Sequence, residues 1–515
     1  MQQFVPSPSG GLDAKSPTAQ MEQIRAIELQ NWLPGYSTMV PRGGKERWQI
    51  TEPNEQINSL FTYVSAGKWN SVLASTSTGI WLMDRPRKRL YEGDVKKLQA
   101  ATLSGLTDVF VVLVGEALGK PLVLKPALPQ DARYGWSGLT IEPWEGGRAD
   151  GESAILRLSQ IRWVYAHGNR IWMGEEGSNQ AWYTAPHAFQ GDLKRVVLVP
   201  QRGGGIVGMA SYSRDRGFNM EDFHFFVTAL GDCIAYQGDP ELENYTKVGE
   251  FDIGSPIGDR WHVRLGSDTI FLTDKGLVSV SEMLATAGAG RRFMEYVNPQ
   301  IHRLILKYPK DKRWGLFVHD KSNQFLIWTP ESVFGVNYNT LASTVLLGWS
   351  PIDMVQIGGD VFFAESGGTN KPSRVFRISE RPYDWEQAGT GFRYDNNQTY
   401  DSGQTYQAET TDETRFRLSA LQAYNYLGDP NVSKRVRRVG VRGTNLYNAR
   451  VALRKDFDTG EVSEAVGSDG SKTGLLSKTA TGQGRAFAVE FVSESNDGAQ
   501  WDGSEITYET SKRGA

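Results

Sequence analysis

The chain has 515 residues, 22% of them charged, with 56 Gly, 15 Trp and a formal net charge of -3. That length allows a large core, while the near-neutral balance excludes the global basic field of a nucleic-acid binder. The single cysteine, Cys233, excludes a disulfide framework or a cysteine metal cluster.

The N-terminal stretch MQQFVPSPSGGLDAK carries no apolar leader core, and no window of the sequence reaches the length needed to cross a bilayer. The expectation is a soluble protein folded in a cytoplasm. Residues 1–44 read as an arm. In MEQIRAIELQNWLPG, Met21, Ile24 and Ile27 fall at helical intervals, Ser16-Pro17 precedes them, and Pro34-Gly35 stops the run. The spacing predicts a short helix that packs on the body through Trp32.

From 45 to 385 one pattern recurs: a short strand-like run, a tight turn and a second run. NSVLASTSTGIWLMD, GNRIWMGEEGSNQAWYT, FHFFVTALGDCIAYQG, SDTIFLTDKGLVSVS and DVFFAESGGTNKPSRVFRIS all read this way. The turns fall near Gly79, Gly119, Gly177, Gly231, Gly276, Gly335 and Gly367, with Lys275-Gly276 as the turn of the fourth hairpin. Intervals of about 30 to 60 residues bracket the period of propeller repeats. A single small sheet cannot bury both faces, but blades packed around an axis can. The fold class predicted is all-β, a β-propeller of six or seven blades. Trp81, Trp172, Trp182, Phe225, Phe226, Phe271, Trp328, Phe362 and Phe363 then fill the spaces between blades. Two stacked β-sandwiches would also show many strands.

Residues 386–515 read as a small β-rich region with loops, either a separate domain or the source of strands that close the ring. The polar run EQAGTGFRYDNNQTYDSGQTYQAETTDE cannot form a core. Strands resume at TRFRLSALQAYNYLG and KRVRRVGVRGTNLYNARVALRKDF, and GSDGSKTGLLSKTATGQG reads as a second flexible stretch before RAFAVEFVSES.

Few constellations point to chemistry. GGGIVG at Gly203 to Gly208 matches a dinucleotide fingerprint, but the helix that should hold a pyrophosphate does not follow, so a loop between blades is the reading. SRDRGFNM, Ser213 to Met220, resembles the Asp box of sialidase propellers, a structural turn, in one copy and with Met220 in place of the closing Trp. His167, His187, His224, His262, His302 and His319 are scattered, so nothing local arranges a zinc site, and no G-x-S-x-G elbow occurs. The carboxylates sit mostly in turns, although counting alone does not exclude a glycosidase pair. No cofactor, metal or catalytic residue is expected. One basic stretch stands out: Lys434, Arg435, Arg437, Arg438 and Arg442, alternating with Val436, Val439 and Val441 and breaking phase at Arg437-Arg438, as at a bulge. It reads either as a face toward phosphates or an acidic partner, or as an exposed edge strand protected from aggregation by its charges.

Three stretches, in order, resemble the tail nozzle proteins of short-tailed phages, also called the tail tubular protein B or packaged-DNA-stabilisation type. The first is SGGLDAKSPTAQ with AIELQNWLPGYSTMVPRGG, in which Leu33 stands where an aromatic is common. The second is WVYAHGNRIWMGEEGSNQAWYTAPHAFQGD. The third, TALGDCIAYQGDPELENYTKVGEFDIGSPIGDRWHVRLGSDTIFLTDKGLVSVS, is similar to the most recognisable run of that family. The resemblance implies a non-enzymatic virion protein with a propeller body, assembled in the host cytoplasm as a homo-hexameric ring. Its partners would be the head-to-tail adaptor ring, tail fibre or spike proteins, and double-stranded genomic DNA passing without sequence specificity. Segments 396–410 and 467–484 are expected to supply gate or docking loops. The competing expectation is a propeller glycoside hydrolase or lyase acting on host surface polysaccharide, with acidic and aromatic residues meeting in one central pocket.

Overall fold

The computed structural model describes residues 1–50, 55–64, 70–83, 88–104, 108–126, 139–146, 156–215, 220–286, 307–310, 313–367, 371–384, 415–457 and 472–510. The chain forms two compact units. One comprises 51–331 with 350–373, and the other 1–50, 332–349 and 374–515. The arm and the C-terminal region, separate in the sequence reading, therefore belong to a single unit.

The first unit is a six-bladed β-propeller. Four blades are antiparallel meanders of four strands: Ile57–Val64 to Lys88–Glu92, Leu98–Ser104 to Leu139–Pro143, Ile161–His167 to Lys194–Val197, and Ile206–Asp215 to Thr246–Asp252. Blade five has three strands, His262–Leu265, Asp268–Thr273 and Gly276–Ser279, and runs into the short helix Val280–Thr286. Blade six opens with the hairpin Pro351–Ile357/Asp360–Glu365. A further hairpin, Gly315–His319/Gln324–Trp328, lies beside blade five, where the Leu316 amide donates to the Arg260 carbonyl at 2.9 Å. The sequence count of six or seven rested on seven turn glycines, of which Gly335 lies outside this unit.

The hairpins repeat down to their hydrogen bonds. In Thr76-Ser-Thr-Gly79 and Thr273-Asp-Lys-Gly276 the threonine hydroxyl donates to the glycine carbonyl, at 3.3 and 3.1 Å. In each it also accepts the amide two residues on. The same Thr-x-x-Gly recurs at Thr228, whose hydroxyl accepts the Asp232 amide. The turn of blade five is thus Asp274-Lys275, one residue earlier than expected, because Thr273 pairs with Gly276. Gly335 is no turn residue either; it lies inside the strand Val333–Asn337.

Trp172, Trp182, Phe225, Phe226 and Phe271 are buried between blades as expected, whereas Trp81 is only half-buried, with Arg89 of its own blade over its ring. Trp182 packs with Val112, Val114 and Val123 of blade two. Trp172 and Phe226 join blades three and four, and Phe225 and Phe271 join blades four and five. Each such side chain removes about 150–250 Å² from water, which makes these layers the main source of the unit's stability. Leu60 of blade one donates its amide to Asp353 of blade six at 2.9 Å, so first and last blades meet.

The second unit is also all-β, and it overturns the predicted helix. Residues Arg25–Gln30 form a strand, antiparallel to Arg417–Gln422 and parallel to Gly11–Leu12. Ala26 and Leu29 are buried while Ile24 is exposed, so Met21, Ile24 and Ile27 do not share a face. Pairing with a strand nearly 400 residues away outweighs a weak local periodicity. Trp32 packs within this unit, against Phe491 and Trp501 at 5.8 and 5.9 Å between ring centroids.

The spine of the unit is the 22-residue strand Lys434–Lys455. Its first half pairs with both Lys472–Gly484 and Gln500–Thr510, and its second half with Phe487–Glu494. Asn445 and Asn448, at φ of 49° and 46°, turn the strand from one set of partners to the other; asparagine tolerates this left-handed conformation better than most residues. Lys472–Gly484 is therefore a strand, which corrects the flexible reading of that stretch, whereas segment 396–410 lies outside the described residues. Among the described residues no helix is long and apolar enough to cross a membrane.

Candidate functional site

Residues at or near the starts of the innermost strands of the six blades surround a cavity of about 440 Å³. Its wall includes Ser59, Leu98, Trp163, Ile206, Trp261 and Asp353, one from each blade. The segment Gly254-Ser-Pro-Ile-Gly-Asp-Arg-Trp261, part of the run that carries the family resemblance, forms a side of the cavity from Ser255 onward.

Two glycines let that segment bend. Gly258 adopts φ +76°, and a Cβ there would sit 2.0 Å from the Trp314 carbonyl oxygen. Gly254, at φ +83°, approaches the Asp274 carboxylate, which accepts the Ser255 amide at 2.8 Å. Only glycine combines this conformation with such close approach.

The bend delivers Arg260 to the centre. Its Nε donates to Asp353 Oδ1 at 3.0 Å, and its Nη2 donates to Oδ2 at 2.7 Å and to the Leu60 carbonyl at 2.9 Å. One guanidinium thereby ties blades five, six and one. Asp353 also accepts the amides of Leu60 and Met354, so four donors occupy its oxygens. Burial lowers the pKa of Arg260, but the charge and hydrogen bonds of Asp353 outweigh it and raise the group above its ordinary value. Lys97 pairs with Asp259, and Arg162 with Glu176 at 3.3 Å.

Five cations and four carboxylates line the cavity, and three of those carboxylates are engaged by a cation. Asp353 has no lone pair left for general-base work; it is a structural counter-ion. Four tryptophans share the wall, and three of them pack closely on glycines: Trp163 on Gly174, Trp261 on Gly208 and Trp328 on Gly315. Acidic and aromatic residues do meet here, but as a charge-braced hub.

The predicted basic stretch lies in the other unit, and its residues divide. Lys434 is buried, its ammonium donating to the Asp429 carbonyl; burial holds its pKa low, with Asp429 opposing. Arg435, Arg437, Arg438 and Arg442 are exposed on one face. The register of both neighbouring strands shifts between Val436 and Arg438, which is the expected bulge. The stretch is not an edge: it is hydrogen-bonded on both sides, so protection of a free edge does not explain its charge. Arg437 pairs with Glu509 at 2.8 Å and Arg442 with Glu505 at 2.5 Å, so glutamates of the adjoining strand answer the arginines. Arg442 also stacks over Phe4.

Other sequence candidates resolve as follows. The glycine run at 203–205 leads directly into the strand Ile206–Asp215, so a phosphate-holding helix is replaced by a blade. Ser213 lies on the strand Ile206–Asp215, which pairs with Met220–Thr228, and residues 216–219 of the run are outside the described residues. Cys233 is buried in a strand, where burial pushes its thiol far above the usual range. Sequence spacing missed the histidines. His167 and His224, 57 positions apart, stand with ring centroids 4.9 Å apart, although among the described residues no group of three or more ligating side chains could hold a metal.

No protein-family model matches the chain, and no curated protein matches it. Among solved structures, the AfRom2 CNH domain aligns at a TM-score of 0.39 with 9% identity, covering 65% of this chain and 99% of that one. BBS1N, solved in complex with ARL6DN, aligns at 0.41 with 9% identity, covering 66% and 98%.

Proposed function

We propose that the chain is a structural virion protein, the tail nozzle of a short-tailed phage, which forms a ring that retains genomic DNA and then conducts it. The observation that carries this reading is where the family-like residues stand. Arg42, from the NWLPG…RGG stretch, holds one unit by donating to Asp384 and to Asn31 of the same stretch. Gly258 and Arg260, from GSPIGDR, hold the hub of the other. Residues that a family shares for its framework are expected at such load points, and in both units the load points coincide with the resemblance.

The charge balance suits a conduit. Phosphates held by many unpaired cations would resist sliding, whereas the exposed arginines at 437 and 442 are answered by glutamates. In the nozzle reading the propeller cavity braces one subunit, and the passage for DNA is formed by several subunits together.

The hydrolase reading draws on Glu116, Glu176 and four tryptophans at one cavity; the engagement of Asp353, Asp259 and Glu176 with cations speaks against it. Light scattering on the purified chain, alone and with a portal–adaptor complex, separates the two. Adaptor-dependent ring formation without polysaccharide cleavage supports the nozzle. A monomer that cleaves capsule polysaccharide and ignores the adaptor refutes it.

A further inference from the structure

All six histidines of the chain fall between residues 167 and 319, inside the propeller unit; the other unit has none. Three of them come from inner strands of three successive blades. His167 ends the first strand of blade three, His224 lies on the second strand of blade four, and His262 opens blade five.

His224 is fully buried. Its Nε2 shares a hydrogen bond of 3.0 Å with the Tyr245 hydroxyl, and its Nδ1 is enclosed with no partner. Rings crowd it on every side: His167 at 4.9 Å, Trp172, Phe226 and Tyr245 at 5.5 Å, and Tyr236 at 6.1 Å. His262 repeats the pattern, its Nδ1 enclosed and unpartnered, with Trp261 at 4.3 Å and Tyr165 at 5.9 Å. Tyr165 in turn bonds Ser211 of blade four at 3.0 Å. A neutral imidazole fits such a site, whereas an imidazolium would bury a charge and an unsatisfied N–H.

We propose that this three-blade cluster makes the propeller an acid-responsive element, in which proton uptake by His224, His262 and His167 opens the packing of blades three, four and five. The charged and titratable groups facing it are few. Asp222 and Arg264 act on His167 with opposite sign, Arg260 acts on His262, Tyr236 and Tyr245 stack on His224, and Tyr183 lies beyond them against Trp172. No carboxylate offers His224 or His262 a partner among the described residues.

Burial, followed by the nearby His167, holds His224 down at about 3, and burial, followed by Arg260, holds His262 at about 4. Burial lowers His167, with Asp222 opposing and Arg264 reinforcing. An unfolded imidazole titrates near 6.5. Above that value both states are neutral and the folded state has its full stability. As pH falls below it, the unfolded state takes the proton first, and the opening constant rises up to tenfold per pH unit for each histidine.

The test uses the full chain. Hydrogen exchange, corrected for the intrinsic pH dependence of amides, is followed by mass spectrometry from pH 7.5 to 4.5. Peptides spanning 161–273 should lose protection steeply below pH 6.5, while peptides from 415–457 and 487–510 should not. His224→Phe, which suits the aromatic surroundings, should flatten that dependence by up to tenfold per pH unit, and His262→Phe should do so independently. The exposed His187→Gln should leave it unchanged. A pH-independent opening of 161–273, or a wild-type slope in whichever of the two phenylalanine variants folds, overturns the proposal.

Discussion

Arg42 and Asp384 are joined side by side, Nη1 to Oδ1 at 3.0 Å and Nη2 to Oδ2 at 2.8 Å, although 342 positions separate them in sequence. Arg42 is also bonded to Asn31 and to the carbonyls of Gly43 and Leu347, and its guanidinium lies over Phe416 at 3.8 Å. Removing one member of a buried pair leaves the other uncompensated, at a cost of about 3–5 kcal/mol. Arg42→Lys should lose most of that despite keeping the charge, because an ammonium cannot make the paired bonds. The denaturation midpoint of the histidine-free unit is the readout, and a near-native midpoint for Arg42→Lys would contradict the assignment.

Gly258→Ala should destabilise the propeller severely, since the new methyl meets a backbone carbonyl in a left-handed conformation. Gly168, at φ +60° with open space around it, isolates the conformational part. Gly168→Ala should cost only about 1–2 kcal/mol. Thermal unfolding of both variants checks the contrast; equal losses would mean that the approach to Trp314 is not what requires glycine.

How much of this was legible in the sequence follows from the range of the forces involved. The hairpins were readable because alternation and a turn glycine are local, and so was the bulge at Arg437-Arg438, where the apolar alternation slips phase. The strand Arg25–Gln30 was misread because its character comes from Arg417–Gln422, far along the chain. Lys472–Gly484 was misread for the same reason: a polar, glycine-containing run becomes a strand when Lys434–Leu446 supplies its hydrogen bonds. The Arg260–Asp353 hub and the meeting of His167 with His224 depend on ring closure, which no spacing rule encodes.

The arginine face makes a charge-balance prediction. Glu505→Gln with Glu509→Gln should free Arg442 and Arg437. Nonspecific duplex affinity should rise, and the log–log salt dependence should steepen by about 2, one counter-ion per released arginine. Fluorescence anisotropy across a salt series measures this; an unchanged slope would mean that the face does not meet phosphates.

A carboxylate pair carries a second pH signature, of the same sign as that of the histidines but set at lower pH. Arg170 bonds both oxygens of Asp239, at 3.0 and 3.1 Å, and Glu241 at 3.1 Å. Burial alone would raise Asp239, but the Glu241 amide and Arg170 outweigh it and lower the group; burial would raise Glu241, and Lys194 with Arg170 lower it. A depressed carboxylate contributes stability that is present above its unfolded pKa near 4 and lost as pH falls through the lower folded value. The stability difference between wild type and Asp239→Asn/Glu241→Gln should therefore be constant from pH 6 to 7.5 and shrink below about pH 4. A difference that grows on acidification would contradict the assignment.

The central claim is that several copies of this chain encircle a passage for duplex DNA. Electron-microscopic reconstruction of the chain bound to a portal–adaptor complex tests it most directly. The account predicts a closed ring of six copies around a lumen wide enough for a duplex. A lone propeller on the complex, or no binding with a saccharide held at the Arg260 cavity, would contradict it.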